Sequence, residues 1–335
     1  MRPPLHDLTG AKALVTGGAG FIGSHTVDEL LSAGAAEIVV VDDMVRGRPQ
    51  NLARAMESGR VRLVLGDICD RPLMAALIEG CDTVFHLAAL RITQCAAEPR
   101  RAIEVMVDAT YDLLELCVDQ RVRKVIMASS ASIYGMASSF PTQEDHAGYA
   151  NRTLYGAAKM FGEGLLRSLH DLNGLDYVAL RYFNAYGPRM DIHGRYTEVL
   201  IRWMERLASG APPVVFGDGL QTLDMVHVKD IARANVLAAV APATDIALNI
   251  GSGQETSLLQ LAQILATIMG ADRLRPVHEA ERAVNPVPRR LADISKAAAE
   301  IGYAPTVGVE DGLRDLVAWW RREQALTDGT AGCAA

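Results

Sequence analysis

The stretch Thr16-Gly17-Gly18-Ala19-Gly20-Phe21-Ile22-Gly23 decides the fold. It has the form G-x-x-G-x-x-G and follows a short apolar run, Ala13-Leu14-Val15. The first glycine of such a loop permits a tight turn. The second lets backbone approach a pyrophosphate, and the third lets a helix pack close against a strand. A helix starting near Phe21, through Ile22, would aim its N-terminal N–H groups and dipole at bound phosphates. Asp42 closes the next apolar run, 19 residues after Gly23, with Asp43 beside it. A carboxylate there accepts hydrogen bonds from an adenosine ribose and repels a 2′-phosphate, so NAD is expected over NADP. Arg46 and Arg48 oppose that preference only slightly.

Outward from the loop, short β-branched runs alternate with amphipathic stretches. The runs cover residues 13–15, 38–41, 61–65, 84–87, 125–128 and 177–180; helical patterns lie at 24–33 and 101–118. Continuous apolar runs of this length fit strands buried on both faces of a parallel sheet. The alternation predicts an α/β fold, a doubly wound Rossmann-type parallel sheet. Residues 1–185 are expected to form this NAD-binding domain, with a later strand at 246–250. After residue 185 the loops grow richer in Gly and Pro, and helices are expected at 197–209, 257–269 and 309–322. Residues 186–325 therefore read as a smaller C-terminal substrate-binding lobe, and 326–335 as a loose tail.

The bulk numbers remove other classes. Of the 335 residues, 50% are hydrophobic, so a sizeable core is available. The net charge of −7 argues against a nucleic-acid partner, which requires a basic footprint. Five cysteines form no CxxC pair, so neither a disulfide framework nor a metal site is expected. The first twelve residues show no apolar signal-peptide core, and no run has the length of a membrane span. A cytoplasmic location is expected.

Several strand ends carry chemistry. Asp67 and Ile68 follow the third run and could hold an adenine. Leu87, Ala88 and Ala89 follow the fourth, where small residues let backbone lie against a cofactor. His86, just before them, reads as a satisfied core histidine. Tyr155 and Lys159 stand at i and i+4 on a helical stretch and share a face. A tyrosine titrates near 10 unaided, and a neighbouring ammonium favours its phenolate, which can then take a proton from an alcohol. Lys159 can also bind a nicotinamide ribose. Ser129, Ser130 and Ser132 lie at the end of the fifth run, where sheet topology brings them to the same crevice. A serine hydroxyl there can relay the proton or hold the substrate oxygen.

The segments TGGAGFIG, VVVDD, GDICD, VFHLAAL, ASSASIYG, YGAAK, RYFNAYGPR and GDGLQTLDMVHVKD, in this order, resemble the extended short-chain dehydrogenase/reductase family. Within it the chain is similar to the sugar-nucleotide epimerase/dehydratase group of the UDP-galactose 4-epimerase type. The likeness runs from about residue 12 to 320. It implies Tyr155 as base, Lys159 as its partner and Ser130 as the third catalytic group. It places Tyr182, Phe183 and Asn184 between nicotinamide and sugar, and Val214, Val215 and Phe216 at the nucleotide base. It also implies a homodimer built on helices containing 101–118 and 155–170.

The group's 4,6-dehydratases carry Asp-Glu directly after the catalytic hydroxyl residue, where this chain has Ala131 and Ser132. Loss of that acid pair leaves C4 oxidation, rotation of the keto sugar and hydride return, a 4-epimerisation of a nucleotide-linked sugar. A net dehydrogenase, a reductase or a dehydratase on another hydroxyl substrate stays open, as does an NAD sensor without turnover. The family's diphosphate-binding arginine is Leu223 here. Arg189, Arg282 and Arg289 are candidate replacements. Arg91, close to the crevice, is a candidate for a sugar carboxylate or phosphate, and the loop 190–194 for specificity.

Overall fold

The computed structural model describes residues 7–192, 198–280 and 287–331, the last five by backbone alone. Its strands in chain order are β1 (Lys12–Thr16), β2 (Glu37–Asp42), β3 (Val61–Leu65), β4 (Thr83–His86), β5 (Lys124–Ser130), β6 (Tyr177–Tyr182), β7 (Asn184–Tyr186), β8 (Val214–Phe216), β9 (Thr222–His227), β10 (Ile246–Ile250), β11 (Glu255–Ser257) and β12 (Val277–Glu279). Seven of them make one sheet in the order β10-β6-β5-β4-β1-β2-β3, and every pairing in it is parallel. The doubly wound sheet read from the alternating pattern is therefore present, and the run 246–250 supplies its outer strand.

Both faces are covered, which is why the inner strands are apolar throughout rather than alternating. Helices Phe21–Ser32 and Val228–Val240 cover one face through Val27, Leu30, Ile231 and Ala234. Helices Arg71–Ile78, Ala109–Asp119 and Leu154–Asn173 cover the other through Leu77, Leu113 and Leu166. The chain after residue 185 feeds two layers. Residues 228–250 return to the sheet, whereas Trp203, Met204, Leu261, Leu265, Leu316 and Trp320 form a separate core. Each such fully buried side chain contributes roughly 1.5–3 kcal/mol from burial.

Two elements differ from the sequence reading. The expected helix over 101–118 is broken into Pro99–Ile103, a π-helical turn Glu104–Asp108 and Ala109–Asp119. The irregular turn stands beside the Asp67–Arg101 ion pair, and hydropathy carries no trace of such a widening. The tail expected to be loose from residue 326 instead continues the helix Val309–Ala331. Leu313, Leu316, Val317 and Trp320 anchor that helix in the second core.

The sheet sets the place of any ligand. Strand order reverses between β1 and β4, and in open α/β sheets the crevice lies beyond the carboxyl ends there. Gly17 takes φ +68°, and a Cβ on it would lie 2.9 Å from Ala88 Cα. At Gly23 a Cβ would meet the Gly17 carbonyl oxygen at 2.2 Å and Gly18 Cα at 2.6 Å. The helix starting at Phe21 can thus approach the loop only without a side chain at position 23. Gly23→Ala is expected to displace the loop, lower stability by roughly 1–3 kcal/mol and release co-purifying NAD. Chromatography of the nucleotide freed on denaturation measures this, and full NAD content at unchanged Tm would contradict it.

Candidate active site

A cleft of ≈ 900 Å³ opens above β1, β4, β5 and β6. On its floor are Gly17, Gly20, Phe21, Ile22 and Gly23 of the glycine loop. Asp42, Asp43, Asp67 and Ile68 line one side, and Leu87, Ala88 and Ala89 lie across the switch point. Thr16 stitches that point together. Its Oγ1 accepts from the N–H groups of Leu87 and Ala88, both at 3.2 Å, and bonds His86 Nδ1 at 2.9 Å. His86 Nε2 meets Thr110 Oγ1 at 3.1 Å. Burial, with the Lys159 charge, lowers the His86 pKa to about 3, so it is the satisfied core histidine the sequence suggested.

Asp42 is nearly enclosed. One carboxylate oxygen accepts from Ala19 N–H and the other from Met44 N–H, both at 3.0 Å. Burial raises its pKa against those two bonds. Its second lone pairs remain for a ribose. Asp67 is paired with Arg101 and accepts from Cys69 N–H. Burial raises its pKa, but these hydrogen bonds outweigh it and hold the carboxyl below its usual range.

Helix Leu154–Asn173 carries the reacting pair. Thr153 caps it by accepting from Gly156 N–H at 3.0 Å, and Gly174 ends it at φ 71°. Tyr155, Lys159, Ser130 and Ser132 all face the cleft. Ser130 stands beside Tyr155, and its Oγ accepts from Ser132 N–H at 3.1 Å. Lys159 Nζ lies 5.8 Å from the Tyr155 ring centre and donates to the Ala128 carbonyl at 2.6 Å. Burial lowers the Lys159 pKa to about 8.

The expectation that an ammonium would depress the Tyr155 pKa is not met. Burial raises it, because the phenolate loses its water, and the Ser130 hydrogen bond with the charges of Arg46 and Arg290 works against that rise.

Behind this pair lies a buried network. Arg181 on β6 forks onto Glu163, with Nε–Oε1 at 2.9 Å and Nη2–Oε2 at 2.6 Å, and Ser129 also bonds Glu163. Arg181 Nη1 donates to Tyr134 Oη at 2.8 Å, and Tyr134 donates to Asn249 Oδ1 at 2.6 Å. Strands β5, β6 and β10 and the helix of Tyr155 are thereby locked together.

Of the residues expected at the sugar, Asn184 lines the cleft with its Oδ1 buried and unpaired. Tyr182 faces the cleft only with its ring, since its hydroxyl donates to Asn235 Oδ1 at 2.7 Å. Val214, Phe216 and Leu223 line the far wall, while Val215 is buried in the second core. Arg91 also lines the cleft, but it faces Glu198 at 3.4 Å and Asp191 at 4.0 Å. Asp191, in the 190–194 loop, also meets Arg46 at 3.5 Å. Arg189 pairs with Asp28 at 2.8 Å.

Arg289 is not a cleft residue. It forks onto Glu255 at 2.6 and 2.7 Å and stacks over Phe140. Its neighbour Arg290 lines the cleft instead, beside Arg202 and Arg206 of helix Val199–Ala208. Residues 288–290 run extended along Thr222, so successive side chains point to opposite sides. Only that alternation, invisible without the pairing, separates the two arginines. Arg282 lies outside the described residues, as do 193 and 194.

The chain belongs to the NAD-dependent epimerase/dehydratase family, whose model matches residues 13–251. Its fold is that of the extended short-chain dehydrogenases/reductases, and its cofactor is NAD. It is 35% identical over 315 residues to a UDP-glucose 4-epimerase of Mycolicibacterium smegmatis, covering 93% of this chain and 99% of that one. A dTDP-glucose 4,6-dehydratase of an Actinoplanes species is 34% identical over 324 residues, covering 94% and 99%. Among solved structures, a UDP-glucose 4-epimerase from Thermotoga maritima with UDP-glucose superposes at a TM-score of 0.87 with 34% identity, covering 93% and 99%. The glycine loop, the Asp42 position and the Tyr155–Lys159 pair fit a dinucleotide spanning the switch point.

Removing one partner of the Arg181–Glu163 pair leaves an uncompensated buried charge. Arg181→Met is expected to cost about 3–5 kcal/mol in urea unfolding, and adding Glu163→Leu to restore part of it. A single variant at wild-type stability would contradict the pair's structural role.

Proposed function

We propose that the protein is an NAD-dependent 4-epimerase of a nucleotide-linked six-carbon sugar. The observation that carries this reading is the reacting trio Ser130, Tyr155 and Lys159 with Ala131 and Ser132 where a dehydratase would need acids. The epimerase and dehydratase relatives stand at similar identity, and these positions support the epimerase reading. Water elimination requires one group to take the C5 proton and another to protonate the departing C6 oxygen. Of the carboxylates lining the cleft, Asp191 and Glu198 face Arg46 and Arg91, and Asp67 faces Arg101.

Tyr155 takes the proton of the C4 hydroxyl while the neighbouring Ser130 hydroxyl holds the same oxygen. Lys159, with its Nζ 5.8 Å from the Tyr155 ring centre, would hold the nicotinamide ribose beside the reacting carbon. Bound NAD supplies a reversible hydride acceptor. The broad cleft leaves room for the keto sugar to turn over before Tyr155 returns the proton. The test is incubation with UDP-, dTDP-, GDP- and CDP-sugars without added NAD. Epimer without net NADH is expected; stoichiometric NADH, or no turnover of any nucleotide sugar, would sink the proposal. Tyr155→Phe is expected to retain NAD and lose turnover by about 10²–10⁴-fold, the usual contribution of a positioned acid/base.

The homodimer is also proposed on an apolar surface. Tyr111, Met160 and Phe161 are exposed by 44, 39 and 44%, on the two helices Ala109–Asp119 and Leu154–Asn173. Large apolar groups grouped on neighbouring helices mark a contact face. Light scattering is expected to give a dimer at micromolar concentration and a monomer for Phe161→Glu. A monomeric wild type would refute the assignment.

A further inference from the structure

We propose that the sugar of the substrate carries a carboxylate at C6, making it a uronate, and that Arg290 is the residue that selects it. The proposal rests on the nucleotide-sugar reading above and specifies its substrate class.

Arg290 is delivered to the cleft by a rigid segment. Thr222 N–H donates to the Pro288 carbonyl and Arg290 N–H to the Thr222 carbonyl, both at 3.0 Å. Two residues on, Ala292 N–H donates to the buried Asp224 carboxylate at 3.0 Å. Arg290 Nη1 donates to the Ala131 carbonyl at 2.9 Å. Ala131 directly follows Ser130, so the guanidinium stands at the reacting end of the cleft rather than against β8.

A guanidinium has five N–H donors, and among the described residues this one uses a single one on the protein. Among the described residues no carboxylate pairs with it, whereas Arg46, Arg91 and Arg189 all face acids. Burial pulls its pKa down to about 10, which records how poorly its charge is solvated. Arg202 and Arg206, on the helix whose Trp203 bonds Val214, line the lobe side of the cleft, beside Phe216. They are better placed than Arg290 for a diphosphate.

A neutral hexose would leave the Arg290 charge without a counter-ion at the point where water is expelled. C6 lies two bonds from C4, the carbon on which Tyr155 acts. A carboxylate there offers two coplanar acceptors to the remaining donors, the geometry a guanidinium matches bidentately. The reaction then carries a chemical hazard, because a 4-keto uronate is a β-keto acid. Its C5–C6 bond can break with the electron pair left on C5, which takes a proton, while CO2 departs. Turnover must therefore be scored as the 4-epimer together with any pentose and CO2.

The full-length protein with its NAD would be assayed on UDP- and dTDP-glucuronate against UDP- and dTDP-glucose. Wild type is expected to favour the uronate in kcat/KM by about 10–100-fold, the worth of a hydrogen bond to a charged group. Arg290→Leu is expected to collapse that ratio, and Arg290→Lys to restore part of it. NAD content and Tm accompany each variant, since a merely structural role would lower both substrates in parallel and leave the ratio unmoved. Equal or better use of the neutral hexose by wild type, or an unmoved ratio in Arg290→Leu, overturns the proposal while leaving the epimerase reading intact. If no nucleotide sugar turns over, the epimerase reading fails and calorimetric affinities decide this one. Equal binding of UDP-glucuronate and UDP-glucose then overturns it.

Discussion

The close approach of three backbone segments at the switch point governs the rest of the molecule. The glycine loop, the start of helix Phe21–Ser32 and the 87–89 turn come within contact distance because Gly17 and Gly23 have no side chains. Thr16 makes the approach polar as well as steric, since its hydroxyl oxygen satisfies two N–H groups of the opposing turn. A backbone brought this near a crevice presents N–H groups and a helix dipole to phosphates without any basic side chain. An acidic protein can therefore hold the dianionic pyrophosphate of its cofactor.

Catalytic geometry depends on a second constraint, placed behind the cleft. Helix Leu154–Asn173 presents Tyr155 and Lys159 to the cleft at its start, but Glu163, two turns later, holds it to the sheet. Ser129 joins the same carboxylate, and its neighbour Ser130 faces the cleft. One buried ion pair thus sets the position of the trio. On the lobe side Asp224 does similar work, gathering Ser252, Gly253 and Ala292 through backbone N–H groups and thereby orienting the segment that carries Arg290. In each case a charge buried away from solvent is stabilised only in one geometry.

Much of this was legible from residues alone. Continuous apolar runs declared a sheet covered on both faces, and glycine spacing named the crevice and cofactor. Helical spacing put Tyr155 and Lys159 on one face. The misreadings have local causes. A π-helical turn leaves the apolar period almost unchanged, so 101–118 read as one helix. The final helix kept going past residue 326 because its anchor lies a few turns earlier. Tyr155 was expected beside a freely acting ammonium, but burial works on both groups, and Lys159 also donates to Ala128.

What the sequence determined by itself is what short-range spacing encodes: the parallel sheet, the dinucleotide loop, the Tyr-Lys pair and the absence of acids at 131 and 132. Which cations serve the cleft was decided only by tertiary structure. Arg46, Arg91, Arg189 and Arg289 look alike along the chain, yet each faces an acid contributed from a distant segment. Arg290 differs from Arg289 by one step along an extended strand whose pairing with Thr222 sets the direction of both. Charge is a property of the residue, but its availability depends on long-range partners, and those exist only once the chain has folded.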